Sequence, residues 1–204
     1  MKYFILSLSL FLVSCEKVKE TIKVTKIPPT KVKVQLFTST QQYEIFCWTI
    51  KKHEGFSQKV YRCSANKKTV GWGFTNIKSV KNIHDADLIF QKIVVNLFRQ
   101  VSKEYPNLSY LQKAAIVSLY YNTGDLNKIK NSGFSRKLQK RQLSQAIIRF
   151  KQWCKCTVNK KTITIKGLQN RRGFESKLLD NSFTMKDYVT LRKEIIEIYK
   201  QNRS

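Results

Sequence analysis

A chain of 204 residues, 42% apolar and with three tryptophans, is long enough to bury a sizeable core and too hydrophobic to be a disordered segment. Its 39 lysines and arginines against 13 acidic residues leave a net charge of +26. Such a balance draws a chain to polyanions (nucleic acid, an acidic cell wall, a membrane surface), or is simply a solvated basic face. Five cysteines without a CxxC, and no second half to match Cys154-x-Cys156, argue against a zinc site, and no metal is expected.

Residues 1–15, MKYFILSLSLFLVSC, join one lysine to an apolar run too short to span a bilayer and proportioned like a secretory signal. The end of that run, Leu12-Val13-Ser14-Cys15, resembles a bacterial lipobox, in which Cys15 carries lipid. A plain signal peptide with a chance cysteine is the competing reading. Either one exports the protein to a periplasmic or extracellular face, and the first anchors it there to a membrane. Residues 16–40 alternate Lys, Val and Thr around Pro28-Pro29 and trace no helical face, so they read as an extended tether.

A folded domain is expected over 41–204. Tyr43, Phe46, Cys47, Ile50 and Glu54 share one helical face, with Gly55 as the C-terminal cap. Glu54 thus ends a helix on its apolar side, where partial burial favours a protonated carboxyl. Strand-like runs at 57–64 and 69–75 flank a turn at Asn66. A hairpin centred there pairs 63 with 69 and puts Cys63 and Thr69 on one face of the ribbon. Helical patterns follow at 84–103 (Ala86, Phe90, Ile93, Leu97, Val101), then from the capping box Ser109-x-x-Gln112 to Asn122-Thr123-Gly124, then at 142–153. A second ribbon, CTVNKKTITIKG, precedes a helix near 169–180, and an amphipathic helix at 185–199 ends the pattern. The class is α+β, mainly helical.

Hydrolysis of a glycosidic bond with inversion needs an acid on one face of the sugar and a group that activates water on the other. Glu54 opposite a ribbon bearing Cys63 and Thr69 supplies those residue types, although one Glu, one Cys and one Thr make a sparse pattern. The surrounding stretch, HEGFSQKVYRCSANKKTVGWGFT (53–75), resembles the active-site segment of the phage-type lysozymes, or endolysins, of glycoside hydrolase family 24. Glu54-Gly55, Tyr61, Cys63, Thr69, Gly71, Trp72, Gly73 and Thr75 fall in that segment's order. Downstream, LQKAAIVSLYYNTG is similar to the family's next helix, and FKQW with GLQNRRGFE to a third segment. Together they cover roughly 43–180.

The resemblance implies a two-lobed lysozyme fold, with a small β-hairpin lobe and a larger helical lobe joined by a long helix. It implies a monomer that binds peptidoglycan in the intervening cleft and hydrolyses the β-1,4 bond between N-acetylmuramic acid and N-acetylglucosamine, without a cofactor. Glu54 takes the general-acid position. Cys63 stands where many members have Asp and some Cys, and Thr69 where a threonine helps hold the attacking water. Tyr61, Gly73 and Asn122 match cleft-lining positions, although Tyr61 and Asn122 read equally well as satisfied core polar groups. Arg171, Arg172 and Glu175 read as a structural ion pair on the large lobe. Phe74 replaces a frequent His and removes a polar partner near the cleft.

A free thiol titrates near pH 8.5, and Arg62, Lys67 and Lys68 around Cys63 favour its thiolate. Cys47, two turns before Glu54, offers a disulfide partner that would latch the site, but packing as a small buried hydrophobe is the favoured reading. Two other functions compete: a non-catalytic wall-binding protein of the same fold, and a basic nucleic-acid-binding protein. The export signal and the lack of a nucleic-acid module count against the second, so no nucleic-acid partner is expected.

Overall fold

The computed structural model describes residues 36–62, 67–158 and 161–202. The leader with Cys15, the tether up to residue 35, Cys63 and the turn residue Asn66 lie outside them. Among the described residues no helix is long and apolar enough to cross a membrane.

The first helix, α1 (Ser39–Glu54), begins earlier than its apolar stripe suggests. Thr38 caps it: the Gln41 amide donates to Thr38 Oγ1 at 3.2 Å, and the Thr38 amide donates back to Gln41 Oε1 at 3.0 Å. Such a reciprocal cap satisfies two amides that the helix leaves unpaired and stabilises it by about 1 kcal/mol. Phe37 is buried beside Phe183 and Tyr188. Residues 36–40 therefore belong to the fold and not to the expected tether. The buried side of α1 runs through Ile45, Phe46, Cys47, Thr49, Ile50 and Lys51, while Tyr43 sits at its exposed edge.

After Gly55 come β1 (Ser57–Arg62) and β2 (Lys68–Gly71), an antiparallel pair. Tyr61 lies opposite Thr69 and Arg62 opposite Lys68, with an irregularity between Ser57 and Tyr61. The symmetric pairing of 63 with 69 about Asn66 is thus two residues out. With Arg62 opposite Lys68 the ladder is centred one residue before Asn66, and moving the centre by one residue moves each partner by two. The second strand also stops at Gly71, short of the expected 75. There the chain folds back on itself, with Val70 and Phe74 exchanging amide–carbonyl bonds of 3.0 and 2.8 Å. Trp72, at the tip of this turn, is wholly buried.

Helix α2 (Ile83–Glu104), capped by Asn82, runs 22 residues from the hairpin region into the helical body. It leads to α3 (Tyr110–Thr123), opened by the Ser109–Gln112 capping box and closed by Gly124 in the left-handed conformation. Six consecutive residues of α3, Ala114 to Leu119, are buried. A helix buried on all sides lies at the centre of a fold, and α1, α2 and α7 all pack on this one. Two short helices that the apolar pattern did not suggest, α4 (Leu126–Lys130) and α5 (Gly133–Gln139), precede α6 (Leu143–Lys151). The expected ribbon forms as β3 (Lys155–Val158) with β4 (Lys161–Thr164), followed by α7 (Lys166–Leu179) and α8 (Met185–Gln201).

Helix α8 is fastened to α1 by Trp48 stacked on Tyr188 and by a buried polar knot. Lys51 Nζ donates to Asp87 Oδ1 at 2.6 Å and to the Tyr199 hydroxyl at 2.7 Å, and Trp72 Nε1 donates to the same Asp87 oxygen at 2.7 Å. The ammonium lies 4.8 to 5.3 Å from the ring centres of Trp72, Phe90 and Tyr199. Asp87 and three aromatic faces thus surround the ammonium in place of water. One lysine thus ties α1, α2, the hairpin turn and α8 together.

Candidate active site

The C-terminal end of α1 presents Glu54 to a cleft of about 330 Å³. The hairpin contributes Tyr61, Lys67 and Thr69 to this cleft, the turn after it Gly73 and Thr75, and the end of α3 Tyr121, Asn122, Thr123 and Gly124. Glu54, Tyr61, Thr69, Gly73 and Asn122, spread over 69 positions of sequence, therefore line one recess. Cys63 lies outside the described residues.

Two features fix the Glu54 carboxylate. Arg171 Nη1 donates to its Oε1 at 2.6 Å. Its Oε2 lies against Gly73, where a Cβ would stand only 2.6 Å from that oxygen. Gly73 also has φ +86, which side chains rarely adopt, so glycine is required twice over. The apolar setting expected for Glu54 is thus replaced on one side by a guanidinium.

Arg171 is itself 4% exposed at its side chain and held from several directions. Its Nε donates to Glu175 Oε1 at 2.9 Å, and its Nη2 to the carbonyl and hydroxyl of Ser118 at 3.2 Å each. Burial works against the Arg171 charge, but Glu175 and Glu54 outweigh it and raise its pKa above the ordinary value. Glu175, fully buried, also accepts from Ser118 and from Arg172 Nη1. Arg172 is pushed down to about 10, chiefly by burial, with Glu175 opposing. Its Nη2 donates to Asn122 Oδ1 at 2.6 Å.

The chain of contacts Glu54–Arg171–Glu175–Arg172–Asn122 therefore starts and ends in the cleft. Arg171, Arg172 and Glu175 do form the expected ion pairs, and the structure extends them to Glu54. The i, i+3, i+4 spacing in Arg171-Arg172-x-x-Glu175 did announce the ion pairs within α7, but nothing in sequence joins Arg171 to a residue 117 positions earlier.

The hairpin side is arranged by backbone. Thr69 is buried and its hydroxyl donates to the Lys67 carbonyl at 3.0 Å, leaving its lone pairs free to accept. Tyr61, opposite it in the ladder, is 40% exposed at the cleft rim. Tyr121, not singled out from sequence, donates from its hydroxyl to the Trp72 carbonyl at 2.6 Å and so fixes the turn that carries Gly73. Burial, reinforced by the charge of Glu54, raises the Tyr121 pKa and keeps this donor protonated. Phe74 is buried against Gly71, and its ring belongs to the core.

His53 precedes Glu54 with its ring edge-on to Phe174 at 5.7 Å, and its Nε2 is buried without a hydrogen-bond partner among the described residues. Burial, with Arg171, Lys52 and Arg172 adding to it, pushes His53 down to about 3, so the imidazole is neutral. Cys47 is buried in the core, where burial pushes its thiol up to about 11. It packs as a small neutral group.

Residues 51–175 match the phage lysozyme family model. The chain is 30% identical over 137 residues to an endolysin of Acyrthosiphon pisum secondary endosymbiont phage 1, covering 65% of this chain and 93% of that protein. The fold is similar to the endolysin from Escherichia coli O157:H7 phage FAHEc1, with a TM-score of 0.60 at 23% identity over 73% of this chain and 96% of that one. It is also similar to the muramidase domain of SpmX from Asticaccaulis excentricus, with a TM-score of 0.58 at 19% identity over 71% and 97% of the two chains. The chain therefore belongs to the phage lysozyme family and is a lysozyme-type glycoside hydrolase.

Proposed function

We propose that the protein is a peptidoglycan muramidase that cleaves the β-1,4 bond between N-acetylmuramic acid and N-acetylglucosamine with Glu54 as general acid. The observation that carries this is the placing of the Glu54 carboxylate. Oε1 is engaged by Arg171, while Oε2 faces Gly73 in a recess bordered by Thr69, Tyr61 and Asn122. The endolysin and muramidase-domain relatives support peptidoglycan as the substrate.

In this reading Oε2 carries the proton and delivers it to the glycosidic oxygen as the bond to the anomeric carbon breaks. A water attacks that carbon from the hairpin side. Because the Thr69 hydroxyl spends its hydrogen on the Lys67 carbonyl, it accepts a hydrogen bond from the water and turns the oxygen lone pair toward the sugar. Cys63 orients that water or takes its proton. Tyr61 and Asn122 line the strand's path, and Arg172 holds the Asn122 amide so that its nitrogen faces outward to donate.

Release of reducing ends from purified peptidoglycan tests the assignment. Glu54→Gln should retain its fold and lose activity by about a thousandfold, within the range for a general acid. Cys63→Asp should keep its activity, and Thr69→Val should lose about tenfold. A Glu54→Gln protein as active as the parent ends the proposal. Export through the 1–15 leader, with lipid on Cys15, is part of the same reading, and the mass of the mature N-terminus tests it.

A further inference from the structure

Away from the catalytic cleft, a second recess of about 680 Å³ is walled by Lys128, Arg136, Lys137, Lys140, Arg149 and Lys155. It shares no lining residue with the cleft that holds Glu54. Trp153 forms part of its wall, and Lys128 Nζ lies 5.8 Å from the centre of that ring. None of the six cations takes part in an ion pair among the described residues. The sequence shows why: between Asp125 and Glu175 it places fourteen lysines and arginines and no Asp or Glu. Elsewhere the chain pairs its buried cations, as at Lys51 and Arg171. Here it gathers cations into a concavity and supplies no partner.

Two arginines converge on one point of the recess. Arg136 and Arg149, from α5 and α6, both reach over Gly133: Arg136 Nη2 and Arg149 Nε come within 3.8 and 3.9 Å of the point where a Cβ would stand. Arg136 Nη1 is steadied by the Asn131 carbonyl at 2.8 Å, and Lys137 by Gln142 at 3.0 Å. Two guanidiniums held close together without a carboxylate repel each other unless an anion sits between them. Guanidinium forks are the side chains best matched to phosphate oxygens.

We infer that this recess is a binding site for the phosphodiester groups of a flexible, base-free polyanion, separate from the peptidoglycan cleft. Concavity favours a strand over a bilayer, because a flat headgroup plane cannot follow cations into a recess. Lys128 already lies over the Trp153 ring and Phe134 is buried, so the recess has no run of rings on which successive nucleobases would stack. A chain of polyol phosphates meets both conditions. Held there, such a polymer fixes the enzyme to an envelope surface while the cleft is free to work.

Calorimetric titration with poly(glycerol phosphate) at about 0.15 M salt, where diffuse surface charge is largely screened, tests the inference. The parent should bind, and Arg136→Gln/Arg149→Gln should weaken binding by about tenfold or more, as expected for losing two charge-assisted contacts. Lys186→Gln/Lys193→Gln removes the same two charges from exposed positions on α8 and should leave affinity within about twofold. Lys140→Glu puts a carboxylate into the recess without disturbing any hydrogen bond of its side chain, and should abolish binding even if the double variant folds poorly. Equal losses in the recess and α8 variants would overturn the site in favour of diffuse attraction. So would binding of phosphatidylglycerol vesicles or oligothymidylate that depends on the recess as strongly as the polymer's does. Because the readout is binding, the result stands apart from the catalytic assignment.

Discussion

Arg171 and Glu54, 117 residues apart, meet at 2.6 Å at the floor of the cleft, and the same guanidinium is clamped by Glu175 and Ser118. The proposed acid is therefore positioned by a side chain with almost no freedom of its own. Arg171→Lys should fail at this task, because an ammonium cannot reproduce a planar fork that serves Glu54, Glu175 and Ser118 at once. Losing the Arg171 fork on buried Glu175, which Arg172 and Ser118 still partner, should cost about 1–3 kcal/mol of stability in urea unfolding. At temperatures where the variant remains folded, kcat should fall with KM nearly unchanged, since the substrate-lining residues stay in place.

Gly73→Ala tests the close approach on the other side of the carboxylate. The added methyl would stand 2.6 Å from Glu54 Oε2, at a φ of +86 that costs an alanine about 1–2 kcal/mol. Either the carboxylate or the turn must move. A displacement of that kind should lower kcat by about a hundredfold, with a loss of stability of about 1–2 kcal/mol in urea unfolding. A fully active Gly73→Ala enzyme would show that Oε2 is not confined there.

The knot at Lys51 predicts that α8 is part of the folded unit although it lies beyond the family match at 51–175. Lys51→Met leaves the half-buried Asp87 carboxylate without its cation and should cost about 2 kcal/mol. Tyr199→Phe removes two hydrogen bonds of the same knot and should cost about 1–2 kcal/mol. The two substitutions should be non-additive in a double-mutant cycle read by urea unfolding.

His53 sets a pH dependence with a definite sign. Its folded pKa is about 3 against an ordinary 6.5. Below 6.5 the unfolded chain takes up a proton that the folded protein refuses, so this contribution is neutral above that pH. Stability is then lost as the pH falls toward 3. The slope should approach about 1.4 kcal/mol per pH unit inside that window. His53→Leu should flatten the curve of urea midpoint against pH relative to the parent, and parallel curves would refute the assignment.

Much of the architecture was legible in the chain. The Ser109–Gln112 capping box, the apolar periods of α2 and α8 and the Lys-Thr-Ile alternation of the second ribbon are local signals, written within a few residues of what they specify. The short α4 and α5 were not, because helices of five and seven residues are too brief to display a period. The start of α1 was read late because its cap, Thr38, sits among the threonines of an apparently featureless stretch.

What the sequence determined by itself is the set of groups and their local settings. These are a carboxylate at a helix end before Gly55, a polar ribbon after it, glycines at the left-handed positions 55, 71, 73 and 124, and an acid-free run from 126 to 174. Only the tertiary structure decided which of them meet. The position of the hairpin turn put Tyr61 opposite Thr69, helix packing brought Arg171 to Glu54, and the folding of α5 against α6 turned a basic run into a recess. Contacts of this kind join residues far apart in the chain, and their geometry follows from the packing of whole elements, which no local spacing encodes.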